Sequence, residues 1–244
     1  MDSMVYLSGV RMDGLVDDLQ VIATNLANAN TTGFKGTVGK FQAVLAAASP
    51  QDLIMTPTGG MSLTWPEYAD FRLDLSQGPI HRTDRPLDLA IRGDAFFVVE
   101  TADGPRYTRK GRFFLNSDGE VTDGAGNRVS AEGGALRIPP DAGDITVGPH
   151  GEVSAGGRAI GRIKLVDVPQ PDALVAVGWA NYRNDGPEAK AAVGSEVIQG
   201  AVEESNVNAV QEMVALIEVL RAYEATAHIL KRVDASAGEL IKTA

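Results

Sequence analysis

The residues able to do chemistry in this chain are few and scattered. His81, His150 and His228 stand singly, without the short spacing that lets two ligands reach one metal ion. Asn116, Asp118, Glu120 and Asp123 resemble a calcium loop, but Val121 occupies the position that needs Gly and no bidentate Glu closes the loop. They read instead as a solvated hairpin tip. Gly124-Ala125-Gly126 lacks the third glycine of a dinucleotide loop and precedes no helix. No Ser sits in a Gly-x-Ser-x-Gly elbow. Asp84 and Asp88 are two carboxylates without an apolar pocket to split their pKa values. Trp65, Trp179 and Tyr182 have the chemistry of a sugar platform, yet isolated aromatics in a strand-rich chain usually belong to the core. Asn30-Thr31-Thr32 matches a glycosylation acceptor at chance level. No active site, cofactor site or metal site is legible.

Composition narrows the classes further. The 244 residues suffice for one large domain or two modest ones. Twenty-two Lys+Arg against 32 Asp+Glu give a net charge of −10, which repels phosphate and argues against nucleic acid or an anionic membrane as partner. No apolar run approaches the length of a membrane span, and the first thirty residues lack a cleavable signal peptide. Cysteine is absent, so disulfides, thiolate metal sites and Cys nucleophiles fall together.

With chemistry sparse, the elements carry the information. Val5, Met12, Leu15, Leu19, Ile22 and Leu26 step by seven, then three and four, with Ser8 completing the pattern. Residues 4 to 28 therefore predict an amphipathic helix with a narrow seam suited to another helix. It stops in Asn28-Ala29-Asn30-Thr31-Thr32-Gly33, residues that tolerate left-handed turns. Near the other end, Met213, Leu216, Leu220, Tyr223, Ala227 and Leu230 recur at steps of three and four, widened by Val210 and Ile217. Ser205, Asn206 or Asn208 can cap that helix. From Asn206 to Lys242 it would run roughly 55 Å. Residues 40 to 48 offer a further helical turn or two.

Between the helices, residues 53 to 202 alternate short apolar pieces with turn signals, including Asp103-Gly104, Asp118-Gly119 and Asp123-Gly124. Phe96-Phe97-Val98-Val99 is wholly apolar. The fold expected is α+β, with coiled-coil-like terminal helices bracketing an all-β middle of short antiparallel strands. Residues 1–36 and 203–244 would form a discontinuous helical domain, and 77–169 a β-rich outer domain. Residues 37–76 and 170–202 would be connecting extended or β segments. Neither helix has a helical neighbour in sequence, so the simplest way to bury both stripes is on each other or on other chains, the alternative from periodicity alone being ordinary core covering.

Three stretches resemble a known family. Asn25-Leu26-Ala27-Asn28-Ala29-Asn30-Thr31-Thr32-Gly33-Phe34-Lys35 is similar to the N-terminal signature of flagellar rod and hook proteins. Arg85-Pro86-Leu87-Asp88-Leu89-Ala90-Ile91, Gly93-Asp94-Ala95-Phe96-Phe97 and Tyr107-Thr108-Arg109-Lys110-Gly111-Arg112-Phe113 resemble its shared β-domain motif. Glu204-Ser205-Asn206-Val207-Asn208 and Arg221-Ala222-Tyr223-Glu224 look like its C-terminal signature. The chain departs from the family at Ala95, where Gly is usual, and at Thr32, where Pro is common. Its length and its opening Met1-Asp2-Ser3-Met4-Val5-Tyr6 most resemble a proximal-rod subunit, the distal-rod subunit being the close alternative.

The resemblance implies a non-enzymatic structural subunit that polymerises with copies of itself and with other rod proteins into a hollow periplasmic rod. It also implies delivery by the flagellar export apparatus without signal cleavage, with no nucleic-acid partner, no membrane insertion and no cofactor. The assembly residues expected on this basis are Leu15, Leu19, Ile22, Asn25, Leu26, Asn28, Gly33 and Phe34 at one end. At the other they are Asn206, Asn208, Met213, Leu216, Leu220 and Tyr223. The competing class is a β-domain module or enzyme acting on cell-wall glycan, which would need a carboxylate couple in a cleft.

Overall fold

The apolar run at residues 96–99 shows how the β region is built. In the computed structural model, which describes residues 2–40, 70–139, 141–178 and 180–243, strand Phe96–Thr101 is buried on both faces. Phe97 and Val99 enter one core with Leu89, Phe113 and Val129, while Phe96 and Val98 enter another with Val166, Leu174 and Tyr182. A strand whose alternate side chains feed two cores must be apolar throughout rather than at every second residue. Phe97 meets Phe113 edge-on at 5.1 Å, and Phe96 meets Tyr182 at 6.3 Å, both favourable ring geometries.

The chain divides into two compact units. One comprises Ala27–Gly36 and Leu73–Asn208. Its largest sheet runs in the order 174–176, 181–184, 104–108, 96–101, 128–131, 121–122, 114–115, with further strands branching from it. Every pairing with a resolved register is antiparallel, as between Phe97 and Thr108 or between Leu165 and Phe97. A three-stranded sheet (145–147, 152–155, 158–162) closes one core. Two short ladders complete the unit: Glu196–Gln199 on Leu89–Arg92, and Ala201–Glu203 on Ile80–Arg82. The segment 170–202 thus supplies strands to several ladders of this unit.

The turn signals work through side chains. Thr101 pairs with Gly104 across the hairpin at Ala102-Asp103. The Asn116 carboxamide oxygen accepts the N–H groups of Asp118 and Glu120, and the Asp123 carboxylate accepts those of Ala125 and Asn127. Two of the calcium-like side chains, Asn116 and Asp123, are therefore spent on closing their own turns, the Asx chemistry of tight loops, and the Glu120 carboxylate accepts from Arg137. Asp123 is buried rather than solvated, a correction to the expected exposed tip.

The other unit comprises Met1–Leu26, Thr37–Arg72 and Ala209–Ala244. Helix α1 spans Asp2–Ala27 and helix α2 spans Ala209–Thr243. Strand Thr37–Lys40 pairs with Asp70–Leu73. The α+β class with a mostly β middle is thus observed. The helical turn expected at 40–48, the glycines at 58–60, Trp65 and Trp179 lie outside the described residues. No described helix is long and apolar enough to cross a membrane, and no metal-binding cluster occurs among the described residues.

Candidate functional site

Among the described residues, a cluster of buried charged groups lies where the turn after α1 meets the strand before α2. Both segments belong to the β unit. Ala201-Val202-Glu203 is a buried strand, and its alternation carries the Glu203 carboxylate inward. Lys35, four-atom stem and all, is likewise fully buried. Its ammonium donates to Glu203 Oε1 at 2.7 Å and to the Ser76 carbonyl at 2.6 Å. Glu203 Oε1 also accepts the Gly78 N–H at 2.9 Å, and Oε2 accepts from Arg109 Nη1 at 3.5 Å. The Arg109 guanidinium lies 4.8 Å over the Phe96 ring. The Lys35 backbone N–H donates to the Tyr182 hydroxyl at 3.0 Å.

One carboxylate thus serves two cations out of water. Burial pushes the Lys35 ammonium below its usual range, and the hydrogen bond and charge of Glu203 hold against that shift. Burial likewise lowers Arg109, opposed first by Glu203 and then by Asp94 and Asp167. Desolvation pushes the Tyr182 phenol well above its ordinary range. Tyr182 is core, as expected for an isolated aromatic, and its hydroxyl finds a backbone partner. The Lys35 ammonium and both Glu203 carboxylate oxygens are taken up by one another, by backbone and by Arg109, whose Nε alone is buried without a hydrogen-bond partner, so the cluster presents a lock rather than a reactive group.

Asn206 fastens three segments. Its Oδ1 accepts the Gly36 N–H at 2.8 Å, and its Nδ2 donates to the carbonyls of Asp74 (2.8 Å) and Ser76 (3.2 Å). The Gly33 N–H donates to the Glu203 carbonyl, and the Asp74 N–H to the Gly36 carbonyl. Gly33 is required here: its φ is +69°, and a Cβ would stand 2.3 Å from the Lys110 backbone nitrogen. Gly78 is equally constrained, since a Cβ there would lie 2.1 Å from the Glu204 carbonyl oxygen. Phe34 is buried beside them. The three candidate caps divide their work: Ser205 Oγ accepts the Val207 N–H, Asn206 makes the bonds above, and Asn208 immediately precedes the first residue of α2.

In the helical unit, Asn25 is 3% exposed. Its Oδ1 accepts the Thr37 N–H and its Nδ2 donates to the Thr37 carbonyl, both at 2.9 Å, imitating a strand partner. The same Nδ2 reaches Glu212 Oε1 at 3.1 Å and so ties α1 to the first turn of α2. Leu15 and Ile22 are buried, and Leu19 and Leu26 are half-buried. On α2, Leu216 and Tyr223 are half-buried, whereas Met213 and Leu220, expected in the seam, are 46% and 43% exposed. The burial follows Leu216, Val219, Tyr223 and Thr226 instead, one face round from the step pattern that would include Met213 and Leu220.

The remaining candidates do not converge. Asp84 is exposed and pairs with Arg82, while Asp88 is fully buried and its carboxylate lies 3.8 Å from Arg85. His81, His150 and His228 are exposed on separate elements.

Comparison with known proteins places these motifs. The flagella basal body rod protein family matches residues 18–35, the flagellar hook protein FlgE/F/G D1 domain residues 90–155, and the flagellar basal body rod FlgEFG protein C-terminal region residues 198–243. The flagellar basal-body rod protein FlgF of Caulobacter vibrioides is 37% identical over 232 residues, 94% of this chain and 93% of the relative. That of Mesorhizobium japonicum is 34% identical over 248 residues, 100% of this chain and 98% of the relative. This chain belongs to the flagellar basal-body rod protein family. The flagellar basal-body rod protein FlgG of Bacillus subtilis is 30% identical over 246 residues, 91% of this chain and 92% of the relative. The rod protein is therefore FlgF-like, a structural subunit of the flagellar basal body that assembles with other rod components. The first two matched regions meet at the buried lock: Lys35 comes from the rod match, and Arg109 from the D1 match. Glu203, from the C-terminal match, joins them. Lys35 and Arg109 stand inside motifs legible in the sequence, but neither was singled out, and Glu203 lies one residue before the motif at Glu204.

Proposed function

We propose that this rod subunit occupies the proximal, FlgF-like position and polymerises through α1 and α2 in a coiled-coil arrangement. The flagellar export apparatus delivers it across to the periplasm without signal cleavage, and it performs no catalysis. The observation that carries the reading is an apolar stripe on α2 left open in the single chain. Val210, Met213, Val214, Ile217 and Leu220 are 66%, 46%, 53%, 51% and 43% exposed. Their spacing puts them on one helical face, and an exposed face of that length asks for a protein partner. Leu15 and Ile22, buried and seven residues apart, occupy equivalent turns of α1.

In the assembled rod, Leu15, Leu19, Ile22 and Leu26 face Leu216 and Tyr223, and the outward stripe with Met213 and Leu220 receives a neighbouring subunit. Asn25, Asn28, Asn206 and Asn208 fix the register of the helix ends, with Gly33 and Phe34 holding the turn. The absence of cysteine suits a chain threaded unfolded, because no disulfide can close a loop on the way. Leu220→Asp, which alters only a half-open position, should leave the β unit folded and abolish polymer. Rod-like particles formed at wild-type yield by that variant, seen by electron microscopy, would refute the reading.

A further inference from the structure

A second feature of the β unit is unused by the lock. The turn after α1 and the stretch 110–114 enclose a groove of about 460 Å³ lined by Asn28, Asn30, Thr31, Lys110, Arg112 and Phe114 among others. In a chain of net charge −10 this groove is basic. Lys110 and Arg112 line it, and the Arg85 guanidinium lies 5.2 Å over the Phe114 ring beside it. Arg112 keeps a buried Nε without a hydrogen-bond partner. The stretch is held extended along residues 87–89, since Leu89 N–H donates to the Gly111 carbonyl and Phe113 N–H to the Leu87 carbonyl. Residues two apart on such a segment point the same way, roughly 6.6 Å apart.

The complement is on α1. Over its described side chains from Arg11 to Ala27, Asp13, Asp17 and Asp18 oppose the single cation Arg11. The described part of α2, Ala209 to Arg232, balances Glu212, Glu218 and Glu224 against Arg221, Lys231 and Arg232. Charge therefore selects α1 between the two helices. Asp13 and Asp17 lie four residues apart on one face, about 6 Å along the axis, which matches the spacing of Lys110 and Arg112. Asp18, beside that face, is held above its usual range first by burial and second by the neighbouring Asp17 charge, with Arg11 opposing.

We infer that the Lys110–Arg112 groove receives the Asp13/Asp17 face of α1 from a second copy of this chain. The inference rests on the rod reading and adds to it a polar contact between the β unit of one copy and the helix of another. An apolar stripe drives association but slides; paired charges at fixed spacing set which copy meets which and in what register.

The test uses the full chain and its lack of cysteine. Asp17→Cys and Arg112→Cys are made in separate chains, tagged to differ in mass, and mixed under mild oxidation. A mixed-mass disulfide dimer well beyond the roughly twofold excess over either homodimer that random pairing would give is expected. In parallel, Lys110→Glu with Arg112→Glu, or Asp13→Lys with Asp17→Lys, should each weaken self-association about tenfold by concentration-dependent light scattering. An equal mixture of the two should recover it, because every copy then meets a complementary surface. Three results overturn the inference: no mixed dimer, charge reversals without effect, or soluble cell-wall glycan fragments bound in the groove while association is unchanged. Ile217→Asp serves as the reference. If it abolishes association while the charge reversals do nothing, the groove contact alone fails. If the chain never self-associates and Ile217→Asp changes nothing, the polymer reading fails with it.

Discussion

Lys35, Glu203 and Arg109 are almost wholly withdrawn from solvent in the β unit, whereas Val210, Val214 and Ile217 in the helical unit are more than half open to it. Polar groups usually face water and large apolar groups usually do not, so each unit inverts the rule in its own way. At the lock the β unit hides charge by bonding it internally: Lys35 and Glu203 are bonded to each other, to backbone and, for Glu203, to Arg109. On the assembly proposed above, the helical unit shows apolar surface because its partner is another chain. The contrast separates a finished fold from an unfinished one.

The sharpest way to break the contrast is to unbalance the lock. Glu203→Gln leaves two cations buried around a neutral acceptor and should cost about 3 to 5 kcal/mol, read as a lowered midpoint in chemical denaturation followed by the β signal. Gly33→Ala comes next. A left-handed backbone and a Cβ placed against Lys110 should cost about 1 to 3 kcal/mol or more, and a variant as stable as the parent would mean the turn relaxes freely. Asn206→Ala removes the side-chain partners of Gly36, Asp74 and Ser76 and should cost about 1 to 3 kcal/mol, with faster amide exchange at Gly36.

A titration sharpens the comparison. Tyr182 is raised above the ordinary phenol value of 10.0, so above that pH the unfolded chain loses a proton the native chain keeps. Native stability must then fall as pH rises. Lys35, being lowered, pulls the opposite way: above its folded value the native chain has released a proton the unfolded chain still holds. The Tyr182 contribution is isolated by Tyr182→Phe, which should lose less stability than the parent between neutral pH and pH about 11. Parallel curves would contradict the assignment. The smallest effect belongs to the open helix: Ile217→Ser should shift the free chain's stability by no more than about 0.5 kcal/mol.

The sequence reached the elements more surely than their contacts. Both helices, the apolar strand at 96–99 and the glycine turns were legible because period, composition and Asp-Gly pairs are local signals. Gly33 and Asn206 were legible through motif resemblance. Their physical reasons, a Lys110 backbone in the way of any Cβ and a carboxamide spanning three segments, needed coordinates. The Lys35–Glu203 pair joins residues 168 apart, and a single sequence holds no trace of which charge answers which. One signal was present: Glu203 ends the apolar pair Ala201-Val202, where a charge inside a buried strand demands a partner. On α2 the steps of three and four put Met213, Leu216, Leu220 and Tyr223 on one stripe, and only packing shows Leu216 and Tyr223 more enclosed than Met213 and Leu220.

Lys35 and Glu203 also impose an order of events. Polypeptides emerge beginning first, so the ammonium of Lys35 waits, without its carboxylate, until Glu203, 168 residues further on, has followed it. A molecule cut short before Glu203 would keep most of its strands yet leave its opening turn unmoored and open to proteases. Completion of the chain is in this way written into whether its first segment holds fast.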